Sequence, residues 1–234
     1  MVVPVAASLP SGLPASERTI AVHPALAALF PQGLQRGTTL RCDGAAATSM
    51  AILVATGAVQ AGAWVGVAGL PMLGVQACRE AGLPVDRMVS IREPAGGFDD
   101  ATWGQVVATL IDGFEIVVFG AAARLRSGTA RRLQARLQSR GAVLVVVGDA
   151  GGLSCEHRLT ADVRWHGVGV GHGHLCTRQL QLTLEGRRMH RSRREALWYP
   201  SPTGAIEPLQ ASAGSPAASR VTTTGVVADL RRTG

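Results

Sequence analysis

The chain carries 23 basic residues, every one an arginine, and no lysine at all. Chemistry that needs an amine is therefore excluded: a phosphate-gripping P-loop lysine, a Schiff base, a lysine general base. Arginine can hold anions, because its planar fork donates paired hydrogen bonds to phosphate or carboxylate. The densest group lies in EGRRMHRSRREALWY, which contains Arg187, Arg188, Arg191, Arg193 and Arg194 just ahead of Trp198 and Tyr199. Such a run repels itself unless an anion or an acidic partner neutralises it. The neighbouring aromatics suit either stacked bases or a protein interface. A second group, Arg132, Arg136 and Arg140, recurs every four residues and lines up as one ridge on a helix, a spacing that an ordinary solvated face also produces. Arg124 and Arg126 stand just before it.

Other constellations carry less. In HGVGVGHGHLC, His172, His174 and Cys176 alternate and would share one face of a strand. The interleaved glycines give no fixed ligand geometry and no second cluster supplies a fourth ligand, so the expectation is a mobile loop between hairpin strands and no metal site. Ser49 and Ser154 lack the context of a nucleophilic triad. Cys42, Cys78, Cys155 and Cys176 form no CxxC pair, which points to a reducing cytoplasm. The N-terminal residues lack the basic start and long apolar centre of a signal peptide, and no apolar run is long enough to span a membrane. A net charge of +7 and a pI near 10.7 favour acidic or polyanionic partners.

The elements that position these residues alternate in type. Strand signals at 38–42, 63–68, 87–91, 115–119 and 142–147 are interleaved with helical signals at 46–60, 72–82, 101–112 and 128–140; Asp99 or Asp100 is placed to cap the third of these helices. A short helical turn is expected at 23–31, closed by Pro31. Continuous apolar strands alternating with helices predict a mostly parallel sheet covered on both faces. Residues 161–166 and 176–184 alternate polar and apolar instead, as an antiparallel hairpin does. The expected layout is a flexible segment 1–20, an α/β domain 21–199 and a disordered tail 200–234, whose composition turns to Pro, Ser, Thr, Ala and Gly.

The order RGTTLRCDGAAATSMAILVATGAVQAG, AWVGVAG, EIVVFGAAARL, GAVLVVVGD, ADVRWH resembles the core of RecA over residues 23 to 185. The resemblance implies a RecA-like α/β core of mostly parallel sheet with flanking helices, ending in antiparallel strands. It also places a nucleotide site, and that site is degenerate. Where a phosphate-binding loop needs glycine, lysine and a magnesium-binding hydroxyl, the chain has Asp43, Thr48, Ser49 and Met50. Where such ATPases end a strand with a metal-holding Asp, Ile116–Phe119 runs into Gly120, and where they place a water-activating Glu, the chain reads Gly69, Leu70, Pro71.

A nonhydrolysing RecA-like chain of this length and basicity is similar to the actinobacterial ImuA′ proteins. That resemblance implies a noncatalytic, cofactor-free accessory of the damage-induced translesion-synthesis mutasome, located in the cytoplasm at the nucleoid. Its partners would be an ImuB-type inactive Y-family polymerase homologue and, through it, an error-prone C-family DNA polymerase. Single-stranded DNA or RecA are further candidates. The alternative readings are an unconventional RecA-like ATPase or ATP sensor, and a SulA-like cell-division inhibitor.

Overall fold

The computed structural model describes residues 18–169 and 172–209, with the side chains of 168–174 excepted. Two short strands, β1 (Thr19–Ile20) and β2 (Leu34–Gln35), pair antiparallel ahead of the main sheet. Between them the expected turn is a 3-10 helix, Pro24–Leu26, capped by the His23 imidazole, whose Nδ1 accepts the Ala25 N–H at 3.2 Å. The main elements then follow as β3 (Thr39–Asp43), α1 (Ala47–Gln60), β4 (Val65–Ala68), α2 (Val75–Glu80), β5 (Met88–Ile91), α3 (Asp100–Gly113), β6 (Ile116–Phe119), α4 (Ser127–Arg140), β7 (Val143–Val147), β8 (His157–Gly169), β9 (His172–Gly186), β10 (Arg193–Trp198) and β11 (Glu207–Pro208). Among the described residues they form one nine-stranded sheet in the order β11-β10-β9-β8-β3-β7-β6-β4-β5. Strands β8, β3, β7, β6, β4 and β5 are parallel, and β9, β10 and β11 add antiparallel.

The central strands are apolar on both sides because both sides are covered. Val65, Val67, Ile116, Val118, Val143 and Val145 pack towards α1, which is itself almost wholly buried. Val117, Phe119, Leu144 and Val146 pack towards Trp103 of α3 and Leu133 and Leu137 of α4. A Cβ on Gly57 of α1 would lie 2.0 Å from the Val22 carbonyl carbon, so only glycine lets the 20–23 segment cross the helix. Asp99 is the cap of α3, accepting the Thr102 N–H at 2.8 Å. Asp100 instead ties α3 to α4 through the Arg126 N–H and the Thr129 hydroxyl. Asp99→Ala is expected to lower stability by about 1 kcal/mol in urea unfolding, the usual effect of losing such a cap.

Three expectations are corrected. The 166–176 segment read as a mobile loop is strand on both arms, with Val168 opposite Gly173 and Gly169 opposite His172; residues 170 and 171 lie outside the described residues. Backbone pairing resumes after an irregularity between His166 and Val168, so both arms stay strand through their glycines. Secondly, the N-terminal segment gives way to structure earlier than residue 21, because Thr19 and Ile20 pair with β2. Thirdly, residues 200–209 continue the fold: Ser201 is buried and Glu207–Pro208 pair with β10. Residues 1–17 and 210–234 lie outside the described residues.

Candidate functional site

A RecA-like nucleotide would sit at the carboxyl ends of the parallel strands, where β3 turns through 44–46 into α1. Asp43, the last residue of β3, points its carboxylate at two guanidinium groups of its own chain: Oδ2 is 2.9 Å from Arg41 and 2.7 Å from Arg158. Oδ1 accepts the Gly44 N–H at 3.1 Å. The hydrogen bond from Arg158, with the charge of Arg41 and the Gly44 amide adding, holds this carboxyl below the usual range. Thr48 is half-buried in the first turn of α1, and Met50 is buried in the core. The Cys42 thiol next door is fully buried and its pKa pushed far up, so it is no nucleophile.

Ser49, expected from the resemblance at the place of the phosphate-gripping lysine, accepts a hydrogen bond through its hydroxyl from Arg178 Nη2 at 3.1 Å. Beyond Thr160, β8 runs past the end of β3 and forms with β9 a hairpin that reaches over α1. Trp165 stands directly opposite Arg178 across that hairpin, and the Tyr199 N–H donates to the Arg178 carbonyl at 2.7 Å, so the three residues form a row across adjacent strands. The Arg178 guanidinium carbon lies 5.1 Å from the Trp165 ring centre and 5.0 Å from that of Tyr199, and Nε donates to the Tyr199 carbonyl at 2.8 Å. A cation between two aromatic faces is well held even partly out of water. Burial draws the Arg178 pKa below its usual value and pushes the Tyr199 hydroxyl up to about 12.

Of the places where the resemblance expects catalytic carboxylates, Gly120 and the first of the residues 69–71 are crowded. A Cβ on Gly120 would lie 2.4 Å from the Gly69 carbonyl oxygen and 2.4 Å from Leu70 Cδ2. A Cβ on Gly69, whose φ is +69°, would lie 2.9 Å from the Ala121 nitrogen. The ends of β4 and β6 press together, and neither position has room for a side chain.

The arginine groups divide by their partners. Arg124 pairs with Glu93, donates to the Phe98 carbonyl at 2.7 Å and lies over the Trp103 ring. Arg136 and Arg140 both pair with Asp112 of α3, while Arg132 donates to the Thr129 hydroxyl at 3.3 Å. The expected ridge is therefore neutralised at its end and serves to join α3 to α4. Asp112→Ala is expected to cost about 1 kcal/mol, since the ions are partly exposed, and the cost should shrink as salt is added to the unfolding experiment. Arg126 contributes its N–H to Asp100 and stays close to Asp99 and Asp100. Arg187, Arg188 and Arg191 lie in the turn between β9 and β10, at the amino ends of the parallel strands; Arg193 and Arg194 open β10. Trp198 closes β10, its ring 5.4 Å from that of His166. A six-residue strand spans on the order of 15 Å, so this arrangement separates the charge of the turn from the aromatic residue that adjoins it in sequence.

The model of the MT3502 N-terminal domain matches residues 28–152, more than half of the chain. The chain belongs to the MT3502 N-terminal domain family. The uncharacterized protein Rv3395c of Mycobacterium tuberculosis is 31% identical over 167 residues, which are 67% of this chain and 78% of that protein. Among solved structures, the RadB recombinase superposes with a TM-score of 0.57 over 80% of this chain and 98% of its own, at 14% identity. The fold of this MT3502-family chain is thus RecA-like.

Sequence reasoning missed Arg178, Trp165 and Tyr199 as one unit. The signal was present: in CTRQLQLTL, Arg178 is in phase with Leu180, Leu182 and Leu184, so it faces inward. Of the alternating trio read against a metal site, Cys176 is exposed and the side chains of His172 and His174 lie outside the described residues. No helix among the described residues is long and apolar enough to cross a membrane.

Two half-buried histidines set an expected pH response. Burial lowers the pKa of His23 and of His157; at His157 the Glu156 charge opposes this and Arg193 adds to it, with a net lowering. A depressed imidazole pKa means the unfolded chain takes up the proton first. Stability is then complete above 6.5, the ordinary value, and falls as pH drops towards the folded-state values. Urea midpoints at about pH 7.5 and about pH 5.5 should differ in that direction, and His23→Asn, which keeps an acceptor for the Ala25 amide, should flatten part of the difference.

Proposed function

We propose that this MT3502-family chain is a noncatalytic RecA-like scaffold that works by holding partners, as an ImuA′-type accessory of translesion synthesis. The observation that carries the reading is the occupancy of the nucleotide position by the chain itself. Arg178 supplies a cation at Ser49, Asp43 is consumed by Arg41 and Arg158, and Gly69 and Gly120 leave no space for carboxylates. Phosphoryl transfer is almost entirely the positioning of charge around phosphate and magnesium, and here the charges are fixed on one another. The hairpin that a nucleotide could otherwise organise is pinned to α1 by a side chain, so the binding faces are set without a nucleotide cycle.

An ImuB-type polymerase homologue is the direct partner in this reading, and an error-prone C-family polymerase the indirect one. The RecA-like fold and the mycobacterial relative are compatible with an ImuA-type chain. The test has two arms. Magnesium and ATP at millimolar levels should leave the melting temperature unchanged to within about 1 °C and release no phosphate, since a ligand stabilises only what it binds. An ImuB-type homologue should be retained on the immobilised full chain with and without nucleotide. Saturable magnesium-dependent ATP binding, or loss of the homologue, would sink the proposal.

A further inference from the structure

At the end of the sheet opposite the nucleotide position, two cavities of about 470 and 380 Å³ adjoin, sharing Gln35 and His157 in their walls. The first carries Arg18 and Arg193 over Phe30, Leu34 and Met189; the second carries Arg36, Arg187 and Arg188 beside Gln138. These arginines come from three separate stretches of sequence. Among the described residues none of the five takes part in an ion pair, and what distinguishes them from other unpaired arginines is that they converge on one groove. Three of them are steadied by neutral acceptors: Arg36 by the Gly141 carbonyl at 3.4 Å, Arg187 by the Ser154 hydroxyl at 2.5 Å and Arg193 by the Leu29 carbonyl at 2.7 Å. The carboxylate in these walls, Glu156, accepts the Thr39 N–H at 2.6 Å. Where the cavities join, His157 Nδ1 is buried without a hydrogen-bond partner.

We propose that this groove docks an acidic segment of a partner protein whose carboxylates alternate with apolar side chains. Five cations, three of them held in place by neutral acceptors and none in an ion pair among the described residues, call for several carboxylates or phosphates. The apolar floor decides between them. The accessible part of that floor is Met189 and Pro31; Phe30 and Leu34 lie almost fully buried beneath, and Phe30 meets His157 edge-on, so no open ring face awaits a base. A peptide with apolar side chains between its carboxylates uses both the floor and the rim. The chain's own ends do not fit that description: residues 1–17 contain a single carboxylate, Glu17, and residues 210–234 carry Arg220, Arg231 and Arg232 against Asp229. The inference goes beyond the scaffold reading and stands apart from the state of the nucleotide position, which lies at the other end of the strands.

The probe is a short fluorescent peptide of alternating Glu and Leu, titrated with the full chain, beside a Glu and Ser peptide and a single-stranded oligothymidylate. The Glu and Leu peptide should bind tightest, and added salt should weaken it. Arg187→Glu with Arg188→Glu should weaken it by about tenfold or more, while Arg79→Glu with Arg92→Glu, the same charge change on other surfaces, leaves it unchanged. Both double variants should melt with the parent, their arginines being exposed. No binding of the Glu and Leu peptide, equal binding of the Glu and Ser peptide, tighter binding of oligothymidylate, or equal loss in both variants each overturns the proposal. ATP binding by the chain would refute the scaffold reading and leave this result untouched.

Discussion

Arg178→Ala should destabilise the chain by about 2–3 kcal/mol. Two cation–π contacts contribute about 1 kcal/mol each when partly shielded from water, and the hydrogen bonds to Ser49 and the Tyr199 carbonyl about 1 kcal/mol each. Against these stands the cost of holding a guanidinium partly out of water, visible in its lowered pKa. The loss should be local before it is global, because these contacts are what tie the overhanging part of β8 and β9 to α1. Amide exchange in 161–166 and 175–180 should therefore speed up more than in β6 or β7. Arg178→Lys keeps the charge without the fork and should recover only part of the difference. A stability change under about 0.5 kcal/mol, within the range of an ordinary surface substitution, would show that the row Trp165, Arg178, Tyr199 carries little. The variant should still not bind ATP, because Asp43 and the closed glycines remain.

Trp103→Ala should have the larger thermodynamic effect, about 3–4 kcal/mol in urea unfolding. Trp103 is fully buried between α3, α4 and the sheet, with its ring 5.0 Å from that of Phe98 and 5.3 Å from that of Phe119. Removing a large aromatic from such a position costs about 3–5 kcal/mol in transfer and cavity terms together. The value falls at the lower part of that range because Nε1 is buried without a hydrogen-bond partner, and the substitution removes that orphan donor. Trp103→Phe removes the donor and keeps most of the ring, so it should cost about 1 kcal/mol. Arg124 lies over the same ring, and both variants should loosen its hold on Glu93 and Phe98.

The apolar runs and their spacing were enough to specify the core. Strand signals ending at 42, 68, 91, 119 and 147 match the ends of β3 to β7 within a residue; for β4, β6 and β7 the reason is burial on both faces, which requires apolar residues throughout. The helix expected over 72–82 is shorter, Val75–Glu80, since Gly74 and Gly82 bound it and local turns use the rest. β10 was hidden because five arginines in eight positions obscure the alternation that starts at Arg193. Its core-facing Leu197 is buried opposite Leu180, a pairing visible only when β9 is already in place.

Residue types alone determined that this chain has no lysine to grip a phosphate and no acidic residue at the two carboxylate positions, because composition and position are local facts. Tertiary structure alone decided what stands there instead. Arg178 reaches Ser49 from 129 positions away, and Gly69 and Gly120 close on each other across neighbouring strands. It also decided which arginines are spoken for: Asp112 neutralises two, Asp43 two and Glu93 one, while the basal five meet no carboxylate within pairing distance among the described residues. Charge along a sequence is additive, but its availability depends on which counter-charges the fold brings within a few ångströms, and that is a property of the folded chain.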